Sequence, residues 1–229
     1  MMNLYKEILH LLGFGLCHQM PERSFIYGGV QLPVCARCTG MYVGITITLV
    51  LLFVLYKGAQ RVGLPSTAFF VAAAIATFAI GFDGFGSYLG FYETNNFARI
   101  LTGIMFGSAM GVVLYAILIE SLAKFISADK ILNTTKEMSI WLASVPLGLL
   151  FIYIICPLLG PLAAGLVGIL IIVTFWLLAL VIVGLLPRYR QSVESWRDLI
   201  EPLIWALPIA CAIIILCIGL QLWAMEVML

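Results

Sequence analysis

Six apolar runs, each long enough to cross a bilayer, constrain the fold of this chain more than any other feature. They lie near residues 38–57, 66–89, 96–122, 138–159, 162–186 and 203–224. Crossing the hydrocarbon core as a helix takes about 20 mostly apolar residues. Composition agrees. Of the 229 residues, 63% are hydrophobic and 10% charged, whereas a soluble domain is about half apolar and a quarter charged. The fold expected is all-α, a polytopic transmembrane helix bundle of six spans in a lipid bilayer. A net charge of +1 leaves no electrostatic footprint for nucleic acid as a partner.

The first 16 residues, "MMNLYKEILHLLGFGL", make a poor signal peptide, because Glu7 and His10 break a short apolar run with no cleavage pattern after it. A short amphipathic interfacial helix is the better reading. One integral membrane domain over 1–229 accounts for the chain. Residues 1–37 hold the N-terminal helix and a Cys/His loop, 38–122 the first three spans with a polar site, and 138–224 the last three spans as a scaffold. The fourth and fifth spans are joined by "PLLGPL", a tight hairpin, and the polar connector "RYRQSVESWRDLIEP" follows Pro187.

With six spans, Lys57, Arg61, Lys124, Lys130, Lys136, Arg188, Arg190 and Arg197 fall on one side, and Lys6, Arg23, Arg37 and Arg99 on the other. Cytoplasmic loops carry the excess of Lys and Arg. The expected location is therefore the inner (cytoplasmic) membrane, multi-pass, with both termini extracytoplasmic.

Almost all the unusual chemistry sits in "CHQ" (17–19), "PERSF" (21–25), "CARCTG" (35–40), "FDG" (82–84) and "TNNFARILTG" (94–103). Six spans bring all of them to one membrane surface. Asp83 is about 25 Å from the start of the second span at 1.5 Å per residue, near the interface where the third span begins. An internal echo joins the first and third spans: "ARCTGMYVG" opens one and "ARILTGIMFG" the other. Each presents an Arg and a Thr (Arg37 and Thr39, Arg99 and Thr102) and then a Gly-xxx-Gly spacing, Gly40/Gly44 and Gly103/Gly107. The glycines read as close helix packing. The two helix N-termini with their arginines make an anion pocket. Glu22 and Arg23 read as a local ion pair, or Arg23 as a contact to an anionic head group. Asp83 has an ion-pair partner in Arg99 or Arg37, and as an intramembrane carboxylate it is also a candidate base, proton carrier or ligand.

Of six cysteines, Cys156, Cys211 and Cys217 lie in apolar spans and read as small core residues. Cys17, Cys35 and Cys38, with His18, form a candidate set for tetrahedral zinc, which takes thiolate and imidazole ligands. Arg37 and the helix N-terminus beside it favour thiolates. Neighbouring side chains usually diverge, so His18 is alternatively a base or a supporting partner, with His10 its substitute. A thiol–disulfide oxidoreductase using Cys35 and Cys38 beside a quinone ranks second, and a plain disulfide third.

The string "LCHQMPERSF…QLPVCARCTGMYVG", with "FDGFG" and "TNNFARILTG", resembles a prokaryotic family of small membrane proteins, domain of unknown function 2085. The resemblance covers roughly residues 16 to 107. It implies a polytopic membrane protein of bacteria or archaea and fixes class, not chemistry. The function expected is a zinc site of Cys17, His18, Cys35 and Cys38 acting on a lipid-like or anionic small molecule. Asp83, Arg37 and Arg99 are the candidate catalytic residues, and Asn96, Thr39, Thr102 and Arg23 the candidate substrate-binding ones. A transporter of a small anion or proton past Asp83 is the third class.

Overall fold

The computed structural model describes residues 2–57 and 61–228. Helix α1 (Met2–Phe14) leads into a short 3-10 turn (Pro21–Arg23) and a hairpin of β1 (Ile26–Tyr27) and β2 (Val30–Gln31). Gly28 and Gly29 both take positive φ, as a two-residue hairpin turn demands. The first three spans are α2 (Ala36–Leu55), α3 (Thr67–Tyr88) and α4 (Asn96–Leu122). Strand β3 (Arg61–Gly63) precedes α3 and β4 (Ser127–Lys130) follows α4. The fourth span runs through α5 (Thr135–Leu142), α6 (Ser144–Leu150), a π turn (Phe151–Ile155) and α7 (Cys156–Leu159). The last two are α8 (Leu162–Gly184) and α9 (Ile200–Met228). All six spans are long and apolar enough to cross a membrane, and the chain is predominantly all-α, as expected.

Local chemistry sets the helix starts. Asn95 accepts from the Ala98 N–H at 2.8 Å and Ser66 from the Phe69 N–H at 3.4 Å, both as N-caps. Thr134 and Glu137 close a capping box on α5. Pro157 lacks the N–H that an α-helix would direct at Tyr153, and the π turn sits in the preceding turn. Its Ile152 carbonyl accepts from the Tyr27 hydroxyl at 2.7 Å. "PLLGPL" is the tight hairpin expected, turned at Gly160 with φ +55.

The bundle is organised around α2 and α4. A Cβ on Gly40 would lie 2.6 Å from the Ile100 oxygen, and one on Gly44 2.5 Å from the Ile104 oxygen. A Cβ on Gly103 would meet the Arg37 oxygen at 2.2 Å, and one on Gly107 the Met41 oxygen at 2.2 Å. The contacts climb in register, so the two helices run parallel with backbones touching, which the glycine spacing predicted. The apolar core divides into one cluster near the thiol-bearing loop and one toward the other end. At that other end β3 pairs in parallel with β4, a tie the sequence reading did not contain.

The N-terminal segment is held from both halves of the chain. The Tyr5 hydroxyl donates to the Pro161 oxygen at 2.8 Å. Gly28 at the hairpin tip packs on Pro161, Leu9 and Leu12 lie on Gly168, and Gly15 abuts the α9 backbone at Cys217 and Ile218. The loop that carries the cysteines is thus clamped onto the end of the bundle where α2 and α4 begin.

Candidate functional site

Cys17 follows α1, Cys35 is the N-cap residue of α2, and Cys38 lies in the first turn of that helix. A single glutamine brings them together. Gln19, buried and with φ +51, donates to the His10 oxygen at 2.9 Å and the Pro33 oxygen at 2.7 Å, while its own carbonyl accepts from Gln31 at 2.8 Å. This folds residues 17–19 against 33–35. The Cys35 N–H then donates to the Cys17 sulfur at 3.3 Å. The three Sγ atoms lie within 4.8 Å of one another, and each cysteine is half-buried and free of disulfide bonds. Sulfurs around a tetrahedral zinc, at Zn–S of about 2.3 Å, stand about 3.8 Å apart.

The Cys17 and Cys38 thiols hydrogen-bond Cys35 and hold it well below the ordinary thiol range. Cys17 moves upward in return, first through its hydrogen bond to Cys35 and then through burial. Among the described residues, neither His18 nor His10 joins the sulfur set. His18 is exposed and borders the same cavity as the thiols, while His10 faces a different one with Lys6 and Glu7.

That cavity, of about 280 Å³, is bordered by the three cysteines and His18 and by Arg23, Arg37 and Arg99. The arginines differ in partners. Arg37 donates through Nε to Asp83 Oδ2 at 2.8 Å, adds a second close contact from Nη2 to the same oxygen, and reaches the Asp83 carbonyl at 3.1 Å. Asp83 Oδ1 accepts from Thr94 at 2.6 Å and Tyr92 at 3.1 Å. A carboxylate offers about four lone-pair positions, and all are used. Asp83, expected as a base, is a buried anchor for Arg37 with no acceptor site to spare. Thr94 and Tyr92, which complete it, were not among the candidate site residues. They reach it across the α3–α4 turn, where no periodicity points at them.

Arg99 is 8% exposed. Its Nη1 donates to Asn96 Oδ1 at 3.1 Å and its Nε has no partner. The echo explains why the two arginines part ways. Arg37 lies three residues before Gly40 and Arg99 four before Gly103, a difference of about 100° around a helix of 3.6 residues per turn. Arg99 turns toward the helix contact, and Arg37 turns away from it toward α3.

The other candidates are engaged elsewhere. Thr39, fully buried, donates to the Val34 oxygen at 3.2 Å, and Thr102 to the Ala98 oxygen at 3.0 Å. Asn96, besides holding Arg99, donates to the Glu22 oxygen at 3.5 Å. Both threonines therefore serve the backbone, and Asn96 links the loop to α4. Among the described residues Arg23 forms no ion pair, with Glu22 or any other carboxylate.

Residues 17–115 match the family model described as "Predicted membrane protein (DUF2085)". An uncharacterized protein of Methanothermobacter thermautotrophicus is 35% identical over 99 residues, covering 43% of this chain and 83% of that protein. An uncharacterized protein of Methanocaldococcus jannaschii is 30% identical over 109 residues, covering 48% of this chain and 67% of its own length. No solved structure matches. The matched region contains every residue of the thiol and arginine site and stops within α4.

Proposed function

This chain belongs to the DUF2085 family of predicted membrane proteins, and on that premise we propose that Cys17, Cys35 and Cys38 hold a thiophilic divalent cation, zinc foremost, beside an arginine-lined cavity. The observation that carries the reading is the meeting of three sulfurs, from segments eighteen residues apart, within 4.8 Å. Cys17, Cys35 and Cys38 would hold the cation as thiolates, and the chemistry it would supply is polarisation of a substrate or water oxygen. The substrate class is a lipid-like or anionic molecule, since three arginines border the same cavity. His18 borders the cavity and is placed to exchange protons with what enters it. Asp83 fixes Arg37. The site face is extracytoplasmic in this reading, because the opposite face carries eight of the twelve Lys and Arg.

Metal analysis of the purified protein with a free-thiol count tests this. One zinc per chain with reduced thiols is expected, lost in Cys35→Ser and kept in Cys211→Ser. A metal-free protein carrying a disulfide within the cluster would overturn it. That result would favour thiol–disulfide exchange, a second reading supported by the meeting of three free thiols in one cluster.

A further inference from the structure

We infer that the cavity beside the thiols binds a phosphate group, recognised chiefly by Arg99 and Arg23. This deepens the reading above and rests on it for the cavity's role, but concerns the anion rather than the metal. Three guanidiniums border a space of about 280 Å³. Among the described residues the one carboxylate in ion-pair contact with any of them is Asp83, and Arg37 takes it. Arg99 is more than nine-tenths buried, borders the cavity, has an Nε without a partner and forms no ion pair among the described residues. A buried cation without a counterion is costly. Among the described residues no carboxylate pairs with it, and an anion in the cavity would. Arg23 stands at the same cavity and, among the described residues, also forms no ion pair, though the exposed Glu22 is its neighbour in the chain.

Two guanidinium forks present more donors than a planar carboxylate can accept, whereas a phosphate offers three or four oxygens in a tetrahedral array. The first turns of α2 and α4 add the positive ends of two helices. The space is too small for a whole lipid and large enough for a phosphate. It opens at the level where α2 and α4 begin and α3 ends, and Gly84 forms part of its wall. Next to Gly84, Phe85 is 73% exposed, and Phe82 61%, on the apolar outer face of α3. A phosphate carried on a lipid would reach Arg99 with its chains along that face. Free phosphate would bind through the same donors.

The test is isothermal titration of the full-length protein in maltoside micelles. The titrants are inorganic phosphate, dihexanoyl phosphatidic acid, and dihexanoylglycerol as the phosphate-free control. Binding of a phosphate-bearing titrant and not of the control is expected, weakened at least tenfold by Arg99→Gln and about fivefold by Arg23→Gln, with Arg99→Lys recovering part of the loss. Preference for phosphatidic acid assigns the site to a lipid head group, and equal binding of inorganic phosphate assigns it to the free ion. Arg23 lies on a half-buried loop turn, so Arg23→Gln carries the comparison if Arg99→Gln does not fold. No binding of either phosphate, or unchanged affinity in Arg23→Gln and Arg99→Lys, overturns the inference. Repeating the titration on Cys35→Ser separates it from the metal reading. Phosphate binding that survives loss of the metal leaves this inference standing alone, and metal retained without phosphate binding does the reverse.

Discussion

Helices α4 and α9 are both apolar spans, and they occupy opposite extremes of the bundle. In its most apolar stretch α4 is 56% buried at a hydropathy of 2.0, whereas α9 is 11% buried at 2.8. The more hydrophobic helix is the outer one. Lipid tails are as apolar as leucine, so hydrophobicity does not draw a helix inward in a membrane. What buries α4 is close approach and polar pairing. Gly103, Gly107 and Gly111 admit the α2 backbone, Ser108 accepts from Ser144 at 2.8 Å, and the Ser108 carbonyl accepts from Trp141 at 3.1 Å. A Cβ on Gly219 of α9 would meet nothing within 4 Å. Burial here follows small and hydrogen-bonding residues, and the polar site grows from that crossing.

The largest expected effect falls on the ion pair of Arg37 and Asp83, which ties α2 to α3. Asp83→Asn keeps the shape, removes the counterion of Arg37 and faces Thr94 and Tyr92 with an amide. Breaking a buried pair by removing one partner costs about 3 kcal/mol or more. Thermal or denaturant unfolding in detergent should register a loss of that size. A loss below about 1 kcal/mol would mean that the pair is solvated and adds little to the hold on α3. Next comes the helix contact itself. Gly103→Ala drives a methyl to 2.2 Å from the Arg37 oxygen, backbone against backbone, and should cost about 2 kcal/mol, within the range for overpacking. Gly219→Ala should stay within about 1 kcal/mol of wild type, on the stabilising side, because alanine is the better helix former. Equal effects at the two glycines would break the comparison.

The outline of the fold was legible because span length is a one-dimensional property. The run read at 96–122 is α4 to the residue, and the others agree within a few residues. The six-span topology also put the cysteine, aspartate and arginine segments on one face. Four things needed the folded chain. Which arginine takes Asp83 could not be read from an echo that gives Arg37 and Arg99 the same apparent place; one inserted residue and its helical rotation decide it. Thr94 and Tyr92 reach Asp83 around Gly90, at φ +74, and a turn carries no period. Gln19 stood in plain view in "CHQ", but its grip on Pro33 depends on a positive φ that nothing in the sequence announces. The pairing of Arg61 with Ser127 joins loops on either side of two whole spans.

A smaller effect probes how the two halves are joined. The Tyr27 hydroxyl donates to Ile152 in the π turn, linking the cysteine loop to the fourth span. Tyr27→Phe removes one partly buried hydrogen bond and leaves a carbonyl that the π turn has freed. The expected cost is about 1 kcal/mol, and metal content should hold if the thiols are positioned mainly by Gln19. Loss of metal in Tyr27→Phe, with Gln19→Ala silent, would shift control of the cluster from the loop to the C-terminal spans.

The smallest effect belongs to the other end of α9 and closes the comparison of ion pairs. Arg188 donates to Glu201 at 2.6 Å, nominally as well placed as Arg37 on Asp83, but the two side chains are 72% and 51% exposed. Water screens such a pair, and ordering two long side chains offsets most of the attraction. Arg188→Ala should change stability by less than about 0.5 kcal/mol, and the difference should vanish in about 1 M salt, where the screening length falls to about 3 Å. The same salt should leave the Asp83→Asn deficit nearly intact, because the 5% exposure of the Asp83 side chain keeps ions from entering between the partners. An Arg188→Ala loss as large as that of Asp83→Asn would show that chemistry at the polar connector, and not only at the thiol face, holds the bundle together.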